Sequence, residues 1–354
     1  MTSSPGMALP ILTIFQDATV GLISLMFKPY LPFDLAGVNS MVRIAVALND
    51  KENGPTQADG RAPSLVAFNE KEWYIGASEW VANDHVKSGS YVDVVVHQED
   101  DGAGQEPAYM QVLGHDDAVC VAYIGQTWPD GQQRGWLGDV GRACGKRWFF
   151  SNVEVGEQKY MPDCTWLDRD HAKDGTDALE NIEAAAMQIH MQDFTNLTGP
   201  YPTDPSYYCT YPATLFVRDY DYEFRLEWFE HKIPSRSRIA FWKDHGFRSK
   251  RRSPHPHRRR PRPSRRSPAL RSKLVSSTHE KHSAKALCGS DTSHGPDFVS
   301  HSEGLFCDMG TKRVWPLCKT TEEVEVGCYD WESHGLVTRE GKEGRDYADV
   351  EEWA

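Results

Sequence analysis

The stretch Ser40–Leu48, which reads SMVRIAVAL, indicates the fold class because its aliphatic side chains recur at every second position. Four of them, from Val42 to Leu48, fall on one side, and Arg43 and two alanines fall on the other. A period of two is the pattern of a β-strand with one buried face. This stretch therefore predicts a sheet that packs one side on a core.

Similar patterns recur along the first two thirds of the chain. The strictest is Asp219–Trp228, where aromatic or aliphatic side chains alternate with charged ones, as expected for a strand with one wet face. Polar, Gly- and Pro-containing segments separate the candidates and predict loops. The other predicted strands are Leu65–Phe68, Trp73–Ile75, Tyr91–Val96, Ala118–Ile124 and Trp148–Val155.

Two segments have helical patterns. Ala178–Met191 carries apolar residues at helical spacing and predicts one helix. Ser277-Thr278-His279-Glu280 has capping-box spacing and predicts a second helix that runs to about Cys288 and ends at Gly289.

Charge divides the chain into dissimilar parts. It has 39 Lys and Arg against 51 Asp and Glu, yet Arg248–Lys273 holds twelve basic and no acidic residues. With five prolines and twelve like charges, this tract cannot pack a core and predicts a disordered linker. The remainder is acidic, which disfavours binding to phosphate backbones and anionic membranes.

These observations predict a mainly β protein, with an antiparallel sandwich or barrel-like N-terminal domain and a small disulfide-stapled α+β or loop-rich C-terminal module. The predicted divisions are a possible signal peptide or leader at 1–36, the β domain at 37–247, a basic linker at 248–275 and the small module at 276–354.

The basic tract supports three hypotheses. In a secreted protein it is a solvated linker with multibasic processing sites at Arg252, Arg260 and Arg266. In a nuclear protein it is a localisation signal or a nucleic-acid-binding arm. The third hypothesis is translated intron or frameshift sequence, because the texture of the tract changes abruptly at both ends.

Eight cysteines fall into two sets of four, which lie before and after the basic tract. None occurs in a CxxC pair, which disfavours a zinc site. An even number in each set favours two disulfides per half, with three possible connectivities in each, and an oxidising compartment. The sets are Cys120, Cys144, Cys164 and Cys209, then Cys288, Cys307, Cys318 and Cys328.

The N-terminus only partly fits a secretory signal. Two apolar runs, Ala8–Phe15 and Val20–Phe27, precede the first basic residue, Lys28. A signal peptide has its basic residues before the apolar run, so the match is poor. No window of 18 apolar residues occurs, so we expect no membrane span. One glycosylation sequon begins at Asn196.

The aromatic, Gly-rich stretch Gln126–Trp148 is the strongest candidate for a ligand groove. Trp128-Pro129-Asp130-Gly131 is a turn signal. Tryptophans offer flat apolar area with an N–H donor and could bind sugar rings or other flat apolar faces. Packing in the core or between sheets is the expectation for them, and the groove is the alternative. The candidate groove residues are Trp128, Asp130, Trp136, Asp139, Trp148 and Trp166.

No catalytic residue is assigned. The chain lacks GxSxG, HExxH, GxGxxG and GxxxxGK[ST], so hydrolase, zinc-protease and nucleotide-binding motifs are missing. A calcium loop starting at Asp170 lacks its third ligand and its closing glutamate. His115 and His190 could lie in clefts, but an ordinary core or surface position is the expectation. We predict no cofactor and no metal.

Eight segments carry a resemblance to known sequences: Gly37–Ala45, Asp117–Trp148, Pro162–Leu167, Ile189–Phe194, His282–Cys288, Gly295–Asp308, Val314–Cys318 and Cys328–Trp331. In these segments the chain resembles a family of uncharacterised, predicted secreted, cysteine-containing proteins of filamentous fungi. The resemblance implies an extracellular, disulfide-bonded protein with a central proteolysable basic region, and it implies no reaction.

Three functions remain open from the sequence. The first is a secreted, non-enzymatic surface or host-interaction module that binds carbohydrate or another extracellular protein. The second is an enzyme or accessory protein that acts on carbohydrate or a secreted secondary metabolite. The third is a nuclear or RNA-associated protein that uses the basic tract, outside which nucleic-acid binding is not expected.

Overall fold

A computed structural model describes residues 38–48, 60–78, 85–99, 103–115, 118–156, 159–169, 184–194, 205–217, 268–318 and 327–353. Several predictions lie outside these residues: the leader at 1–36, the strand Asp219–Trp228, the sequon at Asn196, and the processing sites Arg252, Arg260 and Arg266.

The described residues are mainly β, which confirms the predicted fold class. The strands are β1 (Ser40–Val46), β2 (Gly60–Arg61), β3 (Ser64–Phe68), β4 (Tyr74–Ser78), β5 (His85–Val86), β6 (Tyr91–Gln98), β7 (Tyr109–Leu113), β8 (Val119–Thr127), β9 (Gln133–Leu137), β10 (Trp148–Phe149), β11 (Cys164–Leu167), β12 (Ala186–His190), β13 (Thr214–Val217), β14 (Lys273–Ser277), β15 (Asp297–Ser300), β16 (Leu305–Asp308), β17 (Arg313–Pro316), β18 (Cys328–Asp330), β19 (Gly335–Thr338), β20 (Gly341–Gly344) and β21 (Asp349–Trp353). The α-helices are α1 (Asp139–Ala143), α2 (Pro268–Arg271) and α3 (Ala284–Cys288), and 3₁₀ helices cover Met191–Phe194 and Pro205–Cys209.

Eleven strands of the N-terminal half form one curled, antiparallel half-barrel sheet. Its order is β10-β11-β8-β1-β6-β4-β3-β7-β12-β13, and β9 pairs with β8. The strand that this alternation predicts is confirmed, and Val42, Ile44, Val46 and Leu48 are fully buried. On the other face Arg43 is half-buried, but Ala45 and Ala47 are buried as well, so only the first part of the strand has a wet face. β1 lies between β6 and β8, which places it inside the sheet.

The described part of the helix predicted over Ala178–Met191 is a strand. Ala186–His190 forms β12, which pairs with β7 on one side and β13 on the other. All five residues are buried, so apolar side chains lie on both faces of the strand, and Ala186 and Ile189 fall by that route at the three-residue spacing of a helix. The periodicity therefore reflects burial of both faces of a strand.

The helix predicted from Ser277 begins later in the chain. Ser277 is the last residue of β14, and its hydroxyl oxygen lies 2.8 Å from Nδ1 of His282. Ser283 caps α3 instead, since its side chain accepts a hydrogen bond from the Ala286 amide. The predicted end is confirmed, because Gly289 is the C-cap.

The predicted linker 248–275 extends too far at its C-terminal end. Residues 268–271 form α2, and β14 begins at Lys273. The Lys273 side chain is fully buried, and its Nζ lies 3.0 Å from Asp349 Oδ2 and 2.8 Å from Glu351 Oε2. Two buried carboxylates compensate the charge of this lysine. Lys273, which lies within the linker predicted from sequence, is therefore part of the folded C-terminal half.

The C-terminal half is a small α+β unit. Its main sheet has the order β17-β16-β15-β14-β21, in which β14 pairs in parallel with both β15 and β21. The chain between β17 and β21 forms a separate three-stranded sheet of β18, β19 and β20. No helix in the described part of the chain is long and apolar enough to cross a membrane.

All eight cysteines form disulfides, as predicted, and both pairs of each half stay within that half. Cys120–Cys164 joins β8 to β11, and Cys144–Cys209 joins the end of α1 to a 3₁₀ helix. In the C-terminal half the pairs are Cys288–Cys307 and Cys318–Cys328.

The two halves share one hydrophobic core. A single cluster of buried side chains contains Trp148 and Phe149 from the first half and Leu287, Phe298 and Trp353 from the second. The predicted division at the basic tract therefore separates two parts of the sequence that pack as one body.

Candidate ligand-binding face

Three neighbouring strands of the large sheet, β3, β7 and β12, have ends that lie side by side, and polar and aromatic side chains lie there. Phe68, at the end of β3, lies opposite Tyr109, the first residue of β7. Tyr109 in turn lies opposite His190, the last residue of β12. The segments that leave these strands therefore start close together.

His190 is held between two carboxylates. Its Nδ1 lies 2.8 Å from Asp193 Oδ2, and its Nε2 lies 3.1 Å from Glu70 Oε2. The imidazole is mostly buried, with 11% of its side chain exposed, whereas 61% of the Glu70 side chain is exposed. Both ring nitrogens thus have a carboxylate partner. Asp193 lies in the adjacent 3₁₀ helix, and Glu70 lies in the β3–β4 turn.

The surroundings of His190 favour its charged form. Burial acts to lower the pKa of His190, but the hydrogen bonds to Asp193 and Glu70 and their negative charges outweigh it, so the pKa is raised. Since an imidazolium donates from both nitrogens, it suits two carboxylate acceptors. Below its raised pKa, His190 is a cation between two anions.

Tyrosines stack beside this histidine. The Tyr109 ring stacks on His190 at a centroid distance of 4.4 Å, and Tyr211 lies parallel to Tyr109 at 6.2 Å. The Tyr211 hydroxyl donates to Glu72, and the Tyr207 hydroxyl donates to Asp193 Oδ1 at 2.9 Å. Burial and the bond to Asp193 raise the pKa of Tyr207 to about 12, which keeps it a donor.

A tight turn between β3 and β4 presents the outer side chains. Asn69 Oδ1 accepts hydrogen bonds from the amides of Lys71 and Trp73. Glu72 has φ +61°, an uncommon backbone conformation for a residue other than glycine. Trp73 is 61% exposed, an unusual state for a residue this large and apolar.

A disulfide holds the other side of the face. Cys144–Cys209 ties the 3₁₀ helix Pro205–Cys209 to the C-terminal end of α1. Tyr207 and Tyr211 each lie two residues from Cys209, so this bond positions both rings. We define the ligand face as Glu70, Glu72, Trp73, Tyr109, His190, Asp193, Tyr207 and Tyr211.

The chemistry of the ligand face suits binding. With His190 charged, three carboxylates and one cation leave it with net negative charge, which disfavours anionic ligands. Aromatic rings beside hydrogen-bonding groups suit ligands with flat apolar faces and polar edges. Among the described residues, no group of three His, Cys, Asp or Glu side chains could hold a metal ion.

The tryptophans predicted to line a groove pack inside the protein. Trp128, Trp136 and Trp148 are at most 1% exposed, and Trp166 is 4% exposed. They therefore cannot offer open faces to a ligand in this structure, and the groove built on them is wrong. The sequence shows that the stretch is aromatic, but burial depends on strands that lie far away in the chain.

The two acidic groove candidates have structural partners. Asp130 closes the β8–β9 turn, where its carboxylate accepts from the backbone and side-chain amides of Gln132. Gly131 at this turn has φ +86°, as the turn signal predicts. Asp139 is buried at the junction of the two halves, where it accepts from Tyr160 at 2.7 Å and lies 3.2 Å from Lys281 Nζ.

The two histidines that could lie in clefts have different surroundings. His115 is 6% exposed, and its Nε2 lies 3.2 Å from the Ser64 hydroxyl. Burial lowers the pKa of His115 to about 3, so it is a neutral core residue. His190 belongs to the ligand face. Sequence reasoning missed its partners, although Glu70–Tyr74 (EKEWY) and Ser206–Tyr211 (SYYCTY) combine aromatic and polar residues between strands.

Comparison with known proteins supplies no relative. No model of a protein family matches the chain, and no curated protein matches it. The resemblance to predicted secreted fungal proteins therefore stays a prediction, as does the basic tract's link to nuclear or RNA-associated function.

Proposed function

We propose that the chain is a secreted, disulfide-bonded protein that acts by binding, and that its ligand face takes a neutral carbohydrate of a cell surface or wall. Four disulfides support an oxidising compartment. The acidic body and the net negative ligand face disfavour nucleic acids, phosphates and acidic sugars.

The observation that carries this proposal is Trp73, which is 61% exposed on the same turn as Glu70 and Glu72, two carboxylates of the polar network. Exposed aromatic rings supply apolar contact at low entropic cost, and carboxylates and tyrosine hydroxyls supply hydrogen bonds at fixed positions. Glu72 links the two, because it precedes Trp73 in the chain and accepts from Tyr211.

Binding is favoured over nucleophilic catalysis by the state of His190. A histidine that activates a nucleophile needs one ring nitrogen free to take its proton. Here Asp193 and Glu70 engage both nitrogens. The enzyme alternative predicts turnover of a glycoside or metabolite, which the binding experiment can include as a product assay.

Calorimetric titration with neutral β-linked glucan and chitin oligosaccharides tests the proposal. We expect Trp73→Ala and Tyr211→Ala to weaken binding by about tenfold or more each, because each removes an aromatic contact worth roughly 1–2 kcal/mol. Tyr91→Ala is the matched control, since Tyr91 is 54% exposed on β6, outside the ligand face. Binding of none of these sugars, or equal binding by all variants, would overturn the proposal.

A further inference from the structure

We propose that non-covalent contacts alone hold residues 268–353 to residues 118–169. The protein therefore remains one assembled particle when the chain is cut within 218–267. The inference rests on how the described parts of the two halves meet. It is independent of what the ligand face binds.

The apolar part of this junction is core-like. Phe149 and Phe150 of the first half lie at ring-centroid distances of 6.1 and 5.5 Å from Phe298 of the second. A Cβ added at Gly295 would lie 2.3 Å from the Phe149 ring, so the backbone of the second half lies directly on that ring. Such close packing is typical of a protein interior or an obligate interface.

Backbone and indole hydrogen bonds fix the register of the two halves. Trp148 forms a parallel bridge with Ser293, and the His294 amide donates to the Trp148 carbonyl at 2.8 Å. Trp148 Nε1 donates to Ser290 Oγ at 3.1 Å, and Trp166 Nε1 donates to the His294 carbonyl at 2.8 Å. Two tryptophans of the first half thus form hydrogen bonds with one loop of the second half, residues 290–294.

A buried charge network adds specificity. Lys281 of the second half places its Nζ 2.7 Å from the Tyr160 hydroxyl, 3.2 Å from Asp139 Oδ1 and 3.8 Å from Asp163 Oδ1. Arg142 also pairs with Asp163, at 2.8 Å. Burial raises the pKa of Asp139, and the charge of Lys281 opposes this rise. Separation of the halves would leave Asp139 and Asp163 without this lysine.

No disulfide of the described chain joins the halves, since each of the four pairs lies on one side of the segment 218–267. Covalent continuity between the halves therefore passes through that segment alone. The contacts above, rather than this connection, bring together the partners of the shared core.

The experiment places one site-specific protease sequence within 218–267 of the full chain and cuts the folded protein. We expect one particle of unchanged size in native size-exclusion chromatography, and two fragments in a denaturing gel without reductant. Fragments that separate under native conditions would overturn the proposal. Two fragments that stay joined in the denaturing gel would also overturn it, because a disulfide would then cross between the halves.

Two variants locate the interaction. In the cut protein, Lys281→Met should weaken association by about tenfold or more, because it leaves the buried Asp139 and Asp163 without a partner lysine that is itself 24% exposed. Lys285→Met is the control, because Lys285 is exposed on α3. Trp166→Phe, which removes the Nε1 donor and part of the buried ring, should weaken association by about tenfold or more. If both Lys281→Met and Trp166→Phe associate like the control, the assigned junction is wrong.

Discussion

His190 shows how single side chains set the character of the ligand face. Its two carboxylate partners come from a turn 120 residues earlier in the chain and from a residue three positions later. Sequence could flag the histidine as a candidate, but it could not supply Glu70, because that contact depends on the order of strands in the sheet. The raised pKa of His190 follows from this placement.

The charge of His190 should make stability depend on pH. A group whose pKa is raised by folding stabilises the protein fully below its unfolded pKa, about 6.5 for histidine, and this contribution is lost as pH rises through the folded pKa. We therefore expect the stability difference between the wild type and His190→Gln to be largest near pH 6 and to shrink as the pH rises through the raised folded pKa of His190.

Chemical denaturation at several pH values measures this difference. His85→Gln, at an exposed position on β5, gives the baseline for loss of a histidine. A wild-type advantage over His190→Gln that grows with pH would contradict the charged state.

Gly295 illustrates a position where space alone decides the residue. An added Cβ would overlap the Phe149 ring, so Gly295→Ala should destabilise the protein by about 1–3 kcal/mol through overpacking. Gly344→Ala is the control, since no atom lies within 4 Å of the added Cβ. Denaturant midpoints of the two variants measure the predicted loss of stability. Equal midpoints would show that the Phe149 ring shifts to make room for the added Cβ at no cost.

At the level of elements, prediction from sequence succeeded where short runs of β-branched and aromatic residues lie between turn signals, as in β3 and β8, which are fully buried. β1 was predicted within two residues of its end, although its burial alternates only over its first half. β7 and β12 are fully buried and pair with each other, so neither shows a period of two. β7 was not predicted, and β12 was read as helix. The ligand face lies at the ends of these two strands and β3, which is why it was missed as a site.

The Cys144–Cys209 disulfide should matter to binding as well as to stability. It closes the chain over a sequence separation of 65 residues, and its loss should cost about 2–5 kcal/mol. Because Tyr207 and Tyr211 flank Cys209, the Cys144→Ala/Cys209→Ala protein should also lose affinity for the ligand of the face.

The matched control is Cys318→Ala/Cys328→Ala, which removes a disulfide of the C-terminal half across a separation of ten residues. Titration of both folded variants with the same oligosaccharide measures the effect. Equal affinities would mean that the 3₁₀ helix Pro205–Cys209 keeps its place without the bond.

At the scale of the whole molecule, the basic tract divides the sequence but does not divide the core. The composition of residues 248–273, which is rich in charge and proline, predicts two separate halves. The two halves nevertheless pack together, because Trp148, Phe149 and Phe298 belong to one hydrophobic cluster. Sequence could predict both disulfide sets and the fold class, but contacts between distant segments carry no local pattern.

A shared core predicts one unfolding transition for the full chain. The two halves cannot lose their common cluster independently, so calorimetry should give a single peak whose calorimetric and van't Hoff enthalpies agree. Gly344→Ala should keep that single peak, whereas two resolved peaks in the wild type would show that the halves unfold as separate domains.

We propose a secreted protein whose two halves, each with two internal disulfides, pack around one core. Disulfide mapping by mass spectrometry without reduction, on the chain recovered from the culture medium and from the cells that make it, tests this most directly. The account predicts the chain in the medium, with the pairs Cys120–Cys164, Cys144–Cys209, Cys288–Cys307 and Cys318–Cys328. A chain that stays in the cell with free thiols, or a bond that crosses between the halves, would contradict it.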